Sequence, residues 1–339
     1  MDLFNILKKL TEADGVSGTE TNAAKVAAEM LEPYVDSITF DKRGTVIGRT
    51  EGKGPLIHFD AHIDQIGMII TFITDEGFLK FDSCGGMDAR ILPGREVMVM
   101  ADEPFTAIIT SVPPHLRADK DNAVSIRDLS MDTGFTKEQL INKVELGTRA
   151  CFISDTEKLL GNQVAMKAMD DRSAVAALIL LAKMLHEEGE KYNVLYTFSV
   201  QEEVGGKGAS TAVFNYPVDT SIAVDVSFAN TPGCKPEDTG NIGEGPMVGF
   251  SPLHTHDLSK ELCKLAEKEG IPYQHEVMSG RTGTHADELA VTAEGRKSGL
   301  VSIPEKYMHT ALEIVDTEDV ENTAKLLKAY VENRGKGDN

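Results

Sequence analysis

Five short segments carry side chains that bind metals or move protons: Ala61-His62-Ile63-Asp64, Met169-Asp170-Asp171-Arg172, Gln201-Glu202-Glu203-Val204-Gly205, Val224-Asp225-Val226-Ser227 and Tyr307-Met308-His309. Each follows or sits within an apolar run. Together they offer two imidazoles and several carboxylates, the nitrogen and oxygen donors of a two-metal hydrolase. One such segment is commonplace. Five, on strand-like or loop-edge contexts, are hard to assign to packing.

His62 and Asp64 are two apart at a strand end, so in extended backbone they face the same side. One can bind metal through its imidazole while the other orients that ring by accepting its second N–H. The bland alternative is a hydrogen-bonded surface pair. His58 and Asp60 repeat the spacing inside the apolar strand, and His58 reads as structural. Asp170 and Asp171 precede a helix. Complementing the helix dipole accounts for one of them, Asp171, and leaves Asp170 free to bridge two cations. Arg172 is expected to pair with an acid and hold the loop.

Glu202 and Glu203 leave a strand in different directions. One can bind metal while the other meets a metal-bound water. That geometry disfavours a glycosidase, whose carboxyls face each other across a sugar bond roughly 5–9.5 Å apart. The glycines that follow lack phosphate-loop spacing and fit a turn into a helix near Ala209. Asp225 lies in an apolar strand, where a carboxylate needs a metal or an Arg beside it. His309 is the natural fifth ligand. His285, in the polar stretch 281–287, reads equally as a pocket wall or an ordinary loop residue, and Arg281 is a second candidate for that wall.

The elements that must position these residues follow from periodicity. Leu3, Ile6, Leu7 and Leu10 share a helical face, and 21–31 continues as a second helix capped from the Gly15–Glu20 break. A hairpin over 38–47 turns at Lys42-Arg43-Gly44, and 55–59 is a buried strand ending toward His62 and Asp64. From about 66 to 154 the pattern changes to short strands, 67–73, 77–81, 96–100 and 105–110, with a short helix over 137–144 capped by Thr136. After 158, helices over 171–186, 258–269 and 317–333 alternate with strands over 193–200, 221–226, 272–277 and 300–303. The 171–186 helix carries the stripe Val175, Leu178, Ile179, Ala182 and Leu185. This predicts an α/β fold: a mixed sheet covered by helices on both faces, with an inserted small β-rich, barrel-like domain. The boundaries are 1–66 and 156–339 for the catalytic part and 67–155 for the insert. A disordered tail is expected over 335–339.

The totals narrow the partners. A formal charge of −20, from 34 basic and 54 acidic residues, argues against nucleic acid or an anionic membrane surface. Cys84, Cys151, Cys234 and Cys263 form no CxxC pair and read as reduced thiols of a cytoplasmic protein. The N-terminus has helical periodicity without the apolar core of a signal peptide, and no stretch reaches membrane-spanning length.

In these motifs the chain resembles the TET-type, tetrahedrally assembling dinuclear-metal aminopeptidases, a family that includes glutamyl aminopeptidases and members labelled endoglucanase. The resemblance covers nearly the whole chain. It is carried by Gly15-Val-Ser-Gly-Thr-Glu20, Ala61-His-Ile-Asp-Gln-Ile-Gly67, Met169-Asp-Asp-Arg172, Gln201-Glu-Glu-Val-Gly205, Asp225-Val226 and Pro304-Glu-Lys-Tyr-Met-His309. Gly85-Gly86, Arg90-Ile-Leu-Pro-Gly94 and Val112-Pro-Pro-His115 extend it through the insert.

It implies roles. His62 and Asp225 complete one metal site, Glu203 and His309 the other, and Asp170 bridges them. Asp64 orients His62, and Glu202 is the general base. Two divalent ions per subunit are implied, zinc or cobalt, with manganese also accepted by such ligands. The expected activity is removal of N-terminal residues from short peptides by a two-metal-activated water. The implied assembly is a homo-oligomer, a dodecamer built from dimers through the insert. A related metal-dependent amidase, deacylase or carboxypeptidase would use similar ligands behind different pocket walls. An inactive metal-binding scaffold would need neither Asp64 nor Glu202.

Overall fold

The computed structural model describes residues 2–116 and 124–335. Residues 336–339 of the expected tail lie outside the described residues, and Gly335 ends the last helix. Helix α1 (Leu3–Glu12) buries Ile6, Leu7 and Leu10 and is capped by Asp2, whose side chain accepts from the Phe4 N–H at 3.3 Å. Helix α2 (Thr21–Leu31) begins without the expected side-chain cap, because the Glu20 carboxylate instead accepts the Gly18 N–H at 2.6 Å. Strands β1 (Ser37–Phe40) and β2 (Val46–Thr50) form the expected hairpin, and β3 (Lys53–His62) runs to His62.

The chain then builds a closed antiparallel barrel. Its strands are β4 (Gly67–Ile73), β5 (Phe78–Cys84), β6 (Glu96–Val99), β7 (Phe105–Thr110), β8 (Ser130–Asp132) and β9 (Arg149–Phe152), in the order β4-β5-β8-β7-β6-β9. Alternate residues point inward, so Met68, Ile70, Leu79, Phe81, Val97, Val99, Ile109 and Met131 make a core of their own. Helix α3 (Lys137–Ile141) opens on a capping box in which Thr136 and Gln139 exchange backbone and side-chain bonds.

Beyond the barrel come β10 (Glu157–Lys158), β11 (Gln163–Met166), α4 (Met169–Glu188), β12 (Tyr192–Ser199), α5 (Gly208–Val213) and β13 (Thr220–Phe228). Next are β14 (Met247–Phe250), α6 (His256–Glu269), β15 (Gln274–Val277), α7 (His285–Ala290), β16 (Lys297–Glu305), β17 (Glu313–Asp316) and α8 (Thr317–Gly335). The eight-stranded sheet has the order β1-β2-β12-β3-β13-β16-β14-β15. Its middle, β12, β3, β13 and β16, is parallel, so these four strands end on the same edge. A small sheet, β10-β11-β17, lies beside it.

Helix α4 is buried on nearly every side rather than along one stripe. Ala174, Val175, Ala176, Ala177, Leu178, Leu181 and Ala182 are all inaccessible, with α1, α8 and the sheet around them. The alanines let those neighbours approach closely, and truncating Leu178 to Ala is expected to cost about 2–5 kcal/mol. On β3 the two-residue period sends Ile57, Phe59 and Ala61 into this core and His58, Asp60 and His62 to the other face. All four cysteines are free thiols. No helix among the described residues is long and apolar enough to cross a membrane.

Candidate metal centre

The parallel strands deliver the site. His62 ends β3, Glu202 and Glu203 follow β12, Asp225 lies near the end of β13, and His309 follows β16. Open α/β sheets place ligands outside the carboxyl ends of their strands. All five expected metal ligands line one cleft of about 540 Å³, together with Glu202.

Their ligand atoms converge. His62 Nε2 lies 2.9 Å from Asp170 Oδ1 and 3.9 Å from Asp225 Oδ1. His309 Nε2 lies 3.2 Å from Asp170 Oδ2 and 3.4 Å from Glu203 Oε2. Asp170 thus touches both imidazoles, one with each oxygen. Within the cluster, His62, Asp170 and Glu203 hold ligand atoms within 4.8 Å of one another, as do His62, Asp171 and Asp225. The donor set suits a divalent ion such as zinc. Two buried oxygens, Glu203 Oε1 and Asp171 Oδ1, have no hydrogen-bond partner within the protein, which leaves them available to a bound cation.

Charge tells the same story. Burial, with the Asp170 charge beside it, pushes the Glu203 carboxyl up to about 7. Burial raises Glu202, and it raises Asp171 and Asp225 well above the usual carboxylate range. Asp170 is held low against its burial by bonds from His309 and His62, and burial fails to lower His309, which Asp170 and Glu203 raise to about 11. Carboxylates this crowded and desolvated require cations.

The supporting contacts differ in part from expectation. His62 Nδ1 lies 3.1 Å from the backbone carbonyl of Asp64 and 3.5 Å from its carboxylate. The Asp64 carboxylate also accepts the N–H groups of Glu202 at 2.9 Å and Glu203 at 3.2 Å, and the Ser17 hydroxyl at 2.6 Å. It therefore anchors the turn that aims the paired glutamates, where Gln201 adopts a left-handed φ of 61°. Asp171 caps no helix: its Oδ2 accepts the His62 backbone N–H at 3.2 Å, and helical dihedrals begin only after it. Arg172 is fully buried and donates to the carbonyls of Leu10 and Ala13, tying α4 to the end of α1 rather than to an acid.

Sequence reasoning missed Glu313. Its carboxylate accepts the Asp170 N–H at 3.2 Å and the His309 N–H at 2.9 Å, fixing both ligands from behind. It also gave Gly85 and Gly86 no physical role. A Cβ on Gly85 would meet Glu203 Oε2 at 2.8 Å, and one on Gly86 would meet His309 Nδ1 at 2.9 Å. The barrel backbone closes over the ligands only because those side chains are absent.

The other histidines sort cleanly. His58 is buried between Thr197 and Ser221, and burial lowers it to about 4. His285, at the start of α7, is buried too: Nδ1 lies 2.7 Å from Asp60 Oδ2, and its ring stands edge-on to His62 at 6.3 Å. Arg281 lines the cleft, 3.7 Å from Glu288.

Fold and site together define a metallohydrolase of the α/β class with a barrel appended. Comparison with known proteins makes this specific: residues 44–326 match the M42 glutamyl aminopeptidase family, to which this chain belongs. It is a hydrolase acting on peptide bonds. A lysyl aminopeptidase of Pyrococcus furiosus is 30% identical over 97% of this chain and 96% of its own length. The structure is similar to aminopeptidase APDkam598 of Desulfurococcus kamchatkensis, with a TM-score of 0.91 and 33% identity, covering 98% of this chain and 94% of that one. It is also similar to the TET1 peptidase of Pyrococcus horikoshii, which can assemble into a tetrahedron or a large octahedral shell (TM-score 0.86, 33% identity, 97% and 99% covered).

Proposed function

We propose that the cleft is the active site of a two-metal aminopeptidase that trims short peptides. His62, Asp170, Glu203, Asp225 and His309 would hold two divalent ions, zinc or cobalt, with Asp170 between them. Such ions, when bound, polarise a scissile carbonyl and acidify a water. Glu202 is the general base. It lines the cleft, and its carboxylate takes no part in the close contacts that join His62, Asp170, Glu203, Asp225 and His309. Burial raises its carboxyl toward the range useful for moving a proton at neutral pH, from the attacking water to the leaving amine. Asp64 holds the backbone of Glu202 and Glu203, so base and ligand keep their separate directions. The acidic wall of the cleft attracts a free α-amine, which favours cutting at the N-terminus.

The observation that carries this reading is the convergence of two imidazoles on the two oxygens of Asp170 at the ends of parallel strands. The test is exhaustive chelation. Hydrolysis of aminoacyl-anilides should disappear and return with Zn²⁺ or Co²⁺, while N-acetyl amino acids stay uncut. Full activity in metal-free protein contradicts it.

We further propose that residues 67–155 form a separate unit used for assembly, in a cytoplasmic homo-oligomer of twelve subunits built from dimers. The barrel exposes Phe72 and Ile108, and Val112 and Leu116 are exposed beyond β7. Apolar surface of this kind fits an interface. Light scattering should give a dodecamer, and a monomer contradicts the proposal.

A further inference from the structure

Three carboxylates of the cleft, Glu276, Asp287 and Glu288, stand apart from the ligands, and Glu276 is set apart from the other two by its surroundings. Glu276 lies on β15, three strands from β13 in the sheet order, yet its side chain reaches back across β14 to the cleft. Its register partner on β14 is Gly249, which puts no side chain in the way. Two hydroxyls hold it: Ser227 donates to Oε1, and Ser302 donates to Oε2 at 2.7 Å. A carboxylate accepts about four hydrogen bonds, so acceptor capacity remains on both oxygens. Among the described residues no Lys, Arg or His forms an ion pair with it. It is a fixed, partly buried carboxyl group on a cleft wall, ion-paired to no cation among the described residues, and burial raises it from its ordinary value.

Its position relative to the chemistry is set by β13. Ser227 is two residues beyond Asp225, on the same face, a step of about 6.6 Å along the strand. An amino acid whose backbone sits over Asp225 would therefore send an extended lysine or arginine side chain toward Glu276. The cations of the cleft are elsewhere. The Arg281 side chain is 80% exposed and lies against Glu288, and Lys207 is exposed. Asp287 is engaged by the N–H and hydroxyl of Thr282. Among the described residues no buried Lys or Arg lines the cleft to receive an acidic side chain.

We infer that Glu276, oriented by Ser227 and Ser302, selects substrates with a basic N-terminal residue. This rests on the aminopeptidase reading above. An ammonium or guanidinium would take up the acceptor capacity that the serines leave, as a charge-assisted hydrogen bond. Glu276 is then a specificity residue, outside the proton-transfer machinery.

The test measures kcat and KM for Lys-, Arg-, Leu-, Ala- and Glu-anilides with metal-loaded wild-type protein, E276Q and E276D. Wild type should prefer Lys and Arg. In E276Q the ratio of kcat/KM for Lys to that for Leu should fall about 10- to 100-fold, mainly through KM for Lys. E276D should keep much of the basic preference. The ratio is internal to each preparation, so partial misfolding does not mimic the result. A preference for Glu or Leu in wild type overturns the inference. So does an equal loss on every substrate in E276Q, which would make Glu276 a site for the common α-amine. No hydrolysis of any anilide overturns the aminopeptidase reading itself and this inference with it.

Discussion

Strand β3 carries two buried polar centres on one face, and they are built differently. At His58 and Asp60 the protein supplies the partners. His58 lies between Thr197 and Ser221, and the Asp60 oxygens receive Thr197, Ser199 and His285. Among the ring and carboxylate atoms of that network only His285 Nε2 lacks a partner. Two residues on, at His62, carboxylates from the 170–171, 202–203 and 225 segments crowd together, and among the described residues the basic groups between them are the imidazoles of His62 and His309. The residue types are the same. The difference is whether the fold completes their hydrogen bonding or leaves that to something bound. A satisfied polar network rigidifies a core; an unsatisfied one is held in place for a ligand.

Substitutions should separate the two centres. The largest effect is expected from Asp225→Asn. Turnover should fall to background and metal content should drop, yet the thermal stability of metal-free protein should not fall. Burial raises that carboxyl well above the usual carboxylate range without metal, which favours its uncharged form, and Asn has its shape and can still accept the Val226 N–H. A substantially lowered melting temperature in the metal-free variant would place Asp225 with the structural network instead.

Asp64→Asn should reduce kcat/KM by about 10- to 100-fold, the usual range for a group that orients metal ligands. It loses acceptor capacity for the Glu202 and Glu203 N–H groups and for Ser17. Steady-state kinetics with metal analysis on the same sample checks this; an unchanged rate removes Asp64 from the site's support. The smallest functional effect is expected at the other centre. His58→Ala should cost about 1–3 kcal/mol of unfolding free energy, because hydroxyls of Thr197 and Ser221 lose a partner. Its metal content should be unchanged. Metal loss there would erase the distinction between the two centres.

Much of this was legible in the sequence wherever local pattern decided the outcome. Strands β4 and β7, the Thr136–Gln139 capping box and the structural character of His58 follow from alternation, capping and apolar context. The residues proposed as ligands stood out because each follows or sits within an apolar run, and the structure brings them to one cleft. Contacts between distant segments left no such mark. Glu313 supports Asp170 from 143 residues away, and its strand, Glu313–Asp316, is too short and too acidic to show a buried face. Strand β14 and helix α7 are similarly short, and α7 forms where Thr284 caps a stretch that otherwise looks like loop. Asp171 shows the limit of local rules. An Asp before a helix suggests a cap, but the His62 backbone N–H claims its side chain once β3 and α4 meet.

The central claim is that adjacent glutamates divide the labour, Glu203 holding metal and Glu202 moving the proton. Glu202→Gln tests it most directly, with metal stoichiometry and turnover measured on one preparation. The expected result is two metals per chain and a kcat lowered roughly 10²–10⁴-fold, the usual loss when a general base is removed. A variant that has lost its metals would make Glu202 a ligand and reverse the assignment of the pair. One that retains both metals and full turnover would show that neither the base nor its place in the cleft is as described.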